Sequence, residues 1–313
     1  MTAGRPMRSA ATRRTGELNS DIVSDPIEDN EVSNPRIGYI GLGSMGAPMA
    51  MRLVDWPGGL TVYDVRAEAM APFVDAGATA ATDLAEVALA DVIDVTVLDD
   101  AQVRQVVAEL ARHAAPGTVI AIHSTIAAGT AAELAERHAP QGVHVIDAPV
   151  SGGAMAAQKG ELATMVGAQR EVYERIKPIF KQWASLVIHA GEPGAGTRMK
   201  LARNMLTFTG FAAACEAMRL AEQAGLDLQA LGRVVRHTDA LTMGPGAIMI
   251  RDSVHEIEPG HWLYDTFAHT RDLGEKDLSL AVALGESLNA ELPLARIALD
   301  TLAAGLGVPH RED

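Results

Sequence analysis

Apolar and polar positions along this chain follow two different rhythms. From Ile37 to about Ala190, short apolar runs recur between Ala- and Glu-rich amphipathic stretches, the βαβ pattern of a parallel sheet covered by helices. The runs predict strands over 36–40, 60–63, 92–98, 118–122, 143–147, 162–166 and 185–189, with helices over 47–53, 67–75, 83–88, 101–113, 129–138 and 170–181. Asp94 interrupts an otherwise apolar strand, and a strand end or edge is the only account the sequence offers for it. The breaker cluster Gly191-Glu192-Pro193-Gly194-Ala195-Gly196 closes this half. Beyond it no strand signal remains. Apolar residues at Met199, Met205, Leu206, Phe208, Phe211, Ala214, Met218 and Ala221 predict one long helix over 197–223, stopped at Gly225. It is expected to be a buried spine carrying further helices near 228–237, 246–255, 270–287 and 293–305.

Composition narrows what such a chain can do. Its 313 residues suit two domains. With 48% hydrophobic but only 4% aromatic residues, the interior is expected to be Ala, Val, Leu, Ile and the 13 Met. A net charge of −14 leaves no basic stripe for nucleic acid or an anionic membrane, so an anionic substrate needs local donors. Cys215 is the only cysteine, which excludes an intrachain disulfide and a cysteine metal cluster; it reads as buried filler. No apolar run reaches the ~18 residues of a membrane span. Residues 1–34, basic through Arg5, Arg8, Arg13 and Arg14 and then acidic, read as a solvated tail. A cytoplasmic protein is expected, with the mitochondrial matrix as the alternative that the early arginines suggest.

Chemistry enters at the end of the first strand. Ile37, Tyr39 and Ile40 lead into Gly41-Leu42-Gly43-Ser44-Met45-Gly46, the G-x-G-x-x-G spacing that brings backbone amides to a pyrophosphate. The second strand ends on Asp64, 18 residues after Gly46 and placed to accept from a ribose 2′-OH. Together they predict a nicotinamide dinucleotide site in an α/β, Rossmann-type doubly wound parallel sheet over 35–195, joined by the spine helix to an all-α domain over 196–313. Three further stretches follow strands, where open parallel sheets bind ligands. Thr96-Val97-Leu98 runs on to Gln102; Ser124 and Thr125 read either as helix caps or as ligand contacts; Ser151-Gly152-Gly153 reads either as a glycine turn or as a nest for a carboxylate. In the helical half, Lys200 and Asn204 share one helix face at the domain boundary. Lys200 is either a solvated charge or a proton-transfer group whose pKa is lowered by burial or by a second cation, for which Lys276 is the candidate. The histidines show no metal-ligand spacing, and no G-x-S-x-G elbow supports a serine hydrolase.

The glycine loop through Ala50, Asp147 to Gly153, Gly196 through Lys200 to Asn204, and Lys276-Asp277-Leu278 together resemble the β-hydroxyacid dehydrogenase family, over about residues 36–309. The resemblance implies a Rossmann domain followed by an all-α domain, with a homodimer or homotetramer assembled through the latter. It implies Lys200 as catalytic acid/base, Ser151, Gly152 and Gly153 as holders of a small substrate's carboxylate, and Asn204 as orienting the reacting oxygen. Val97, Leu98, Gln102, Thr125 and Lys276 are then placed around the cofactor. NADP-using members tend to carry Asn-Arg-Thr after the second strand; Asp64-Val65-Arg66 here favours NAD, with Arg66 leaving room for NADP. The implied reaction is hydride transfer at the carbinol carbon of a hydroxyisobutyrate-like β-hydroxy acid. Alternatives are a tartronate semialdehyde/glyoxylate-type reductase, an imine reductase, which typically lacks the lysine, or a non-catalytic dinucleotide-binding protein. Two departures stand out: Thr96-Val97-Leu98 replaces the family's usual Met-Leu-Pro, and Arg203 replaces the first of two asparagines. The arginine would either depress the pKa of Lys200 or recognise a second anionic group.

Overall fold

In the computed structural model, which describes residues 34–251 and 253–310, the alternating half folds into a nine-stranded sheet. The tail expected over 1–34 lies, apart from Asn34, outside the described residues. The strands are β1 (Ile37–Ile40), β2 (Leu60–Tyr63), β3 (Thr79–Ala80), β4 (Val92–Val95), β5 (Val119–Ile122), β6 (His144–Asp147), β7 (Val150–Ser151), β8 (Leu162–Gly167) and β9 (Ala184–Gly191). Helices α1 (Gly46–Met51), α2 (Ala71–Asp75), α3 (Leu84–Val87), α4 (Asp100–His113), α5 (Thr130–His138), α6 (Gly153–Lys159) and α7 (Arg170–Phe180) connect them. The first six strands are parallel in the order β3-β2-β1-β4-β5-β6, the doubly wound arrangement. β8 then runs antiparallel to β6 and β7 and pairs β9 in parallel. β3 and β7, two residues each, are too short to register as a periodicity and were not expected.

Alternation along each strand divides the sheet's side chains between two cores. Tyr39, Val119, Ala121 and Ile146 enter one, with Phe180 and Trp183; Ile40, Ile93, Val95, Ile120, Ile122 and Val145 enter the other, with Val103, Val107 and Leu134. Asp94 finds its explanation here. It lies mid-sheet rather than at an edge, and its Oδ1 is 2.9 Å from Nε2 of His123 on the neighbouring strand end, both side chains being wholly buried. The other ring nitrogen of His123 lies 2.8 Å from the carbonyl of Ala148. A carbonyl only accepts, so Nδ1 donates its hydrogen to Ala148. Phe180 and Trp183 meet the imidazole edge-on.

The helical half consists of α8 (Ala195–Gln223), α9 (Leu228–Thr242), α10 (Tyr264–Ser287) and α11 (Pro293–Leu306). The helix expected over 246–255 forms only as a 3₁₀ segment, Gly244–Ile248. Gly244, Pro245 and Gly246 oppose its propagation. α10 begins six residues before the predicted 270, at Tyr264. Glu216, buried on α8, accepts from the amides of Leu294 (2.9 Å) and Ala295 (3.2 Å), capping α11 from outside. The buried spine is corrected in one respect. α8 has the expected length, but Met205 (69% exposed), Phe208 and Phe211 (62% each) face outward, as does Cys215, which is therefore not core filler. A long apolar face of this kind exceeds what the chain's own helices cover. Among the described residues, no helix is long and apolar enough to cross a membrane.

Removing one member of the buried Asp94–His123 pair should strand the other without a partner. His123→Ala is expected to lower stability by about 3–5 kcal/mol, read as a shift in urea midpoint. A loss below about 1 kcal/mol would mean that the pair is not the strong tie its geometry suggests.

Candidate active site

Four loops at the carboxyl ends of β1, β4, β5 and β6 gather on one edge of the sheet. The first is the glycine loop. Gly41 adopts φ +89°, and a Cβ there would strike the carbonyl of Thr96; a Cβ on Gly46 would strike the carbonyl of Gly41. These two glycines thus let the turn and α1 close on themselves. Gly43 differs, since a Cβ on it would meet nothing within 4 Å. Its face is open for a ligand to approach the backbone, the role of the middle glycine in dinucleotide loops.

Asp64 binds this loop to β2. Its Oδ2 accepts from the Leu42 amide at 2.7 Å, and its Oδ1 from the Arg66 amide at 2.9 Å and Arg66 Nε at 3.2 Å. Burial alone would raise the Asp64 pKa, but the backbone hydrogen bonds from Arg66 and Leu42 and the Arg66 guanidinium outweigh it, so the net shift is downward. A cleft of about 670 Å³ opens beside it, lined by Gly41, Gly43, Asp64, Val65, Arg66, Thr96, Val97, Leu98 and Gln102. Ser124 shapes its wall: its hydroxyl accepts from the Val97 amide (3.0 Å) and donates to the Val97 carbonyl (2.7 Å), so it neither caps a helix nor faces a ligand. Gln102 folds back to accept from the Leu98 amide at 3.0 Å. The open glycine, the ionised acid at the second strand end and a cleft of ligand size fit a dinucleotide.

The fourth loop faces α8. Asp147, fully buried, accepts from the amides of Gly194 (2.7 Å) and Thr197 (2.5 Å) and so fastens the start of that helix to the end of β6. One turn on, Lys200 is 8% exposed, and its Nζ donates to the Val150 carbonyl at 2.6 Å and to Ser151 Oγ at 3.0 Å. Gly152 and Gly153 follow with φ of +133° and +76°, a conformation only glycine adopts without strain, and the space beyond Gly153 is open. Burial first, then the charge of Arg203, lowers the Lys200 pKa. Asn204 lies a turn further on the same helix face, half-buried.

The structure thus brings together Lys200, Asn204, Ser151, Gly152 and Gly153, and separately Gly41, Gly43, Asp64, Arg66, Val97, Leu98 and Gln102. Within the glycine loop Leu42 and Met45 turn their side chains toward the core, while Ser44 is exposed. α1 starts at Gly46, with Met45 at its N-cap. Thr125 sits exposed after β5, outside the residues lining the cleft. Lys276, on α10, pairs with Asp277 at 3.2 Å, and the cation that Lys200 feels is Arg203. Asp147 and Ser124 hold the site together, yet their roles depend on partners 50 and 27 residues away and leave no local signal.

Sequence comparison agrees with this geometry. Residues 36–191 match the NAD binding domain of 6-phosphogluconate dehydrogenase, and residues 194–308 match the family described as NAD-binding of NADP-dependent 3-hydroxyisobutyrate dehydrogenase. The chain is an NAD(P)-binding oxidoreductase. It is 66% identical to an uncharacterized oxidoreductase of Mycobacterium tuberculosis, over 88% of this chain and 95% of that one. It is 34% identical to L-threonate dehydrogenase of Escherichia coli K12, over 88% and 92%. A crystal structure of an oxidoreductase from Mycobacterium avium 104 superposes with a TM-score of 0.86 at 72% identity, covering 88% of this chain and all (100%) of that one. These matches place it in the β-hydroxyacid dehydrogenase family.

The contrast between glycines gives a test of the cofactor loop. Gly43→Ala should fold with stability within about 0.5 kcal/mol of the parent yet bind NADH about tenfold or more weakly, since its methyl group enters the ligand's space. Gly46→Ala should instead lower the melting temperature. Undiminished NADH affinity of Gly43→Ala, by fluorescence titration, would place the cofactor elsewhere.

Proposed function

We propose that the chain catalyses reversible, NAD-dependent hydride transfer at the carbinol carbon of a small, 3-hydroxyisobutyrate-like β-hydroxy acid. The observation that carries this reading is the contact between Lys200 Nζ and Ser151 Oγ, because it sets a buried lysine at the lip of a glycine nest. The nest's hydroxyl and the amides of Gly152 and Gly153 bind the substrate carboxylate. Neutral Lys200 then takes the hydroxyl proton in the oxidation direction, and its ammonium returns a proton to the carbonyl oxygen in reduction. Asn204 orients that oxygen. The nicotinamide, when bound, accepts or supplies the hydride. Asp64, ionised and held against the glycine loop, favours the ribose hydroxyls of NAD over a 2′-phosphate, and Arg66 already donates Nε to it. The names of the matched family and of the threonate relative, both dehydrogenases of small hydroxy acids, support the substrate class.

The outward apolar face of α8, with Val234, Val235 and Leu241 on α9, supports assembly as a homodimer or homotetramer through the helical half. Sedimentation should give a dimer or larger, with Phe208→Glu and Phe211→Glu driving it toward monomer; a parent chain that sediments as a monomer would exclude this.

Lys200→Ala should lower turnover about 100-fold or more while NADH still binds, followed at 340 nm with a panel of small β-hydroxy acids; unchanged turnover would remove Lys200 from the reaction. The pH dependence carries a sign. Oxidation needs the neutral amine, so its rate should rise with pH through a limb below the ordinary lysine range. Arg203→Gln removes a cation that favours the neutral form, and the limb should move to higher pH.

A further inference from the structure

Arg203 stands beside Lys200, whose charge balance it affects, and the reaction above gives it no direct contact with the substrate. It follows the lysine by three residues and precedes Asn204, so the three share a face of α8. Its Cα stands about 4.5 Å of helix rise beyond that of Lys200, farther from the end clamped by Asp147. The guanidinium is exposed, and its polar contact is a long one, Nη1 to Asn204 Oδ1 at 3.5 Å. Most of a five-donor fork is therefore open. Carboxylates are not scarce in a chain with 40 acidic and 26 basic residues, and Arg36, Arg66, Arg104, Arg137, Arg170 and Arg296 each hold one. Among the described residues none pairs with Arg203.

We propose that Arg203 recognises a second anionic group of the substrate, so that the preferred substrate is a β-hydroxy acid bearing another carboxylate, or an oxyanion of similar shape, beyond its hydroxyl-bearing carbon. This rests on the nest and the lysine having the roles given above. Along the site the order is then nest, Lys200, Arg203: the first carboxylate, the hydroxyl, the second anion. The planar guanidinium offers two parallel N–H groups to a carboxylate. Lys200 cannot serve this purpose, since proton transfer requires it to pass through its neutral form, whereas an arginine stays charged throughout. The chain's overall negative charge repels a dianion at long range, which makes a local fixed cation the means of holding one.

The test compares ligands that differ by one carboxylate. With the full chain saturated in NAD, calorimetric titration with glutarate and with butyrate should show glutarate binding about 10–100-fold more tightly. The ratio should fall to within about threefold in Arg203→Gln and lie between in Arg203→Lys. Equal affinities in the parent, or a ratio that survives Arg203→Gln, would overturn the proposal. Turnover of 3-hydroxyglutarate against 3-hydroxybutyrate separates this inference from the reaction beneath it. Lys200-dependent oxidation of both without preference counts against Arg203 alone. Glutarate selectivity that depends on Arg203, with neither acid oxidised, supports the anion site and counts against the hydride-transfer reading.

Discussion

A single carboxylate joins the two halves of this protein. Asp147 ends β6, is wholly buried, and takes the Gly194 and Thr197 amides at the start of α8. The unpaired amides and dipole of a helix start suit an anion, and charge-assisted hydrogen bonds inside a protein are stronger than neutral ones. The approach is close enough to restrict its neighbours: a Cβ on Gly196 would strike the Met165 carbonyl, and one on Gly167 would strike Asp147 itself. Everything the helix carries into the site is positioned by this clamp. Lys200 follows Thr197 by three residues and therefore reaches Val150 and Ser151, which form β7 just beyond the strand that Asp147 ends.

Behind that junction lies a second polar structure that ties both parts of the site together. His123 links β4, through Asp94, to the Ala148 carbonyl, and Thr164 Oγ1 donates to the same carbonyl at 3.1 Å. Ser124, the next residue, holds both polar groups of the Val97 backbone. The wall of the cofactor cleft and the approach to the nest thus hang from consecutive residues after β5. Buried polar networks of this sort fix one arrangement of loops when their hydrogen bonds are made. A rigid scaffold with functional groups on its loops is the result.

Much of this was legible in the chain, and the exceptions share a cause. The glycine loop, the acid after β2 and the doubly wound parallel sheet follow from local spacing plus the rule that ligands sit at strand carboxyl ends, whereas Lys200 and Ser151 were joined in one site only by the family resemblance. Asp94 was visible only as an anomaly, because its partner lies 29 residues away. The cation beside Lys200 is Arg203 rather than Lys276, since matching a motif does not say which way a side chain faces. The helix over 246–255 failed where an apolar pattern ran against Gly244, Pro245 and Gly246. The outward face of α8 was misread for a different reason: apolar periodicity reports that a face will be covered, not by which chain.

In the reaction proposed above, the pose of Lys200 would let one side chain serve both directions. A neutral amine has two N–H donors and one lone pair. Val150 O and Ser151 Oγ take two donors, which leaves the lone pair as the remaining position around nitrogen, available to a hydroxyl proton. In the ammonium form the same position holds the third N–H, aimed where a carbonyl oxygen would need it. Burial and the Arg203 charge bring the two forms closer in free energy by disfavouring the cation. Proton transfer then needs no rotation of the side chain, and the constraint that achieves this is the depth at which Asp147 seats the helix.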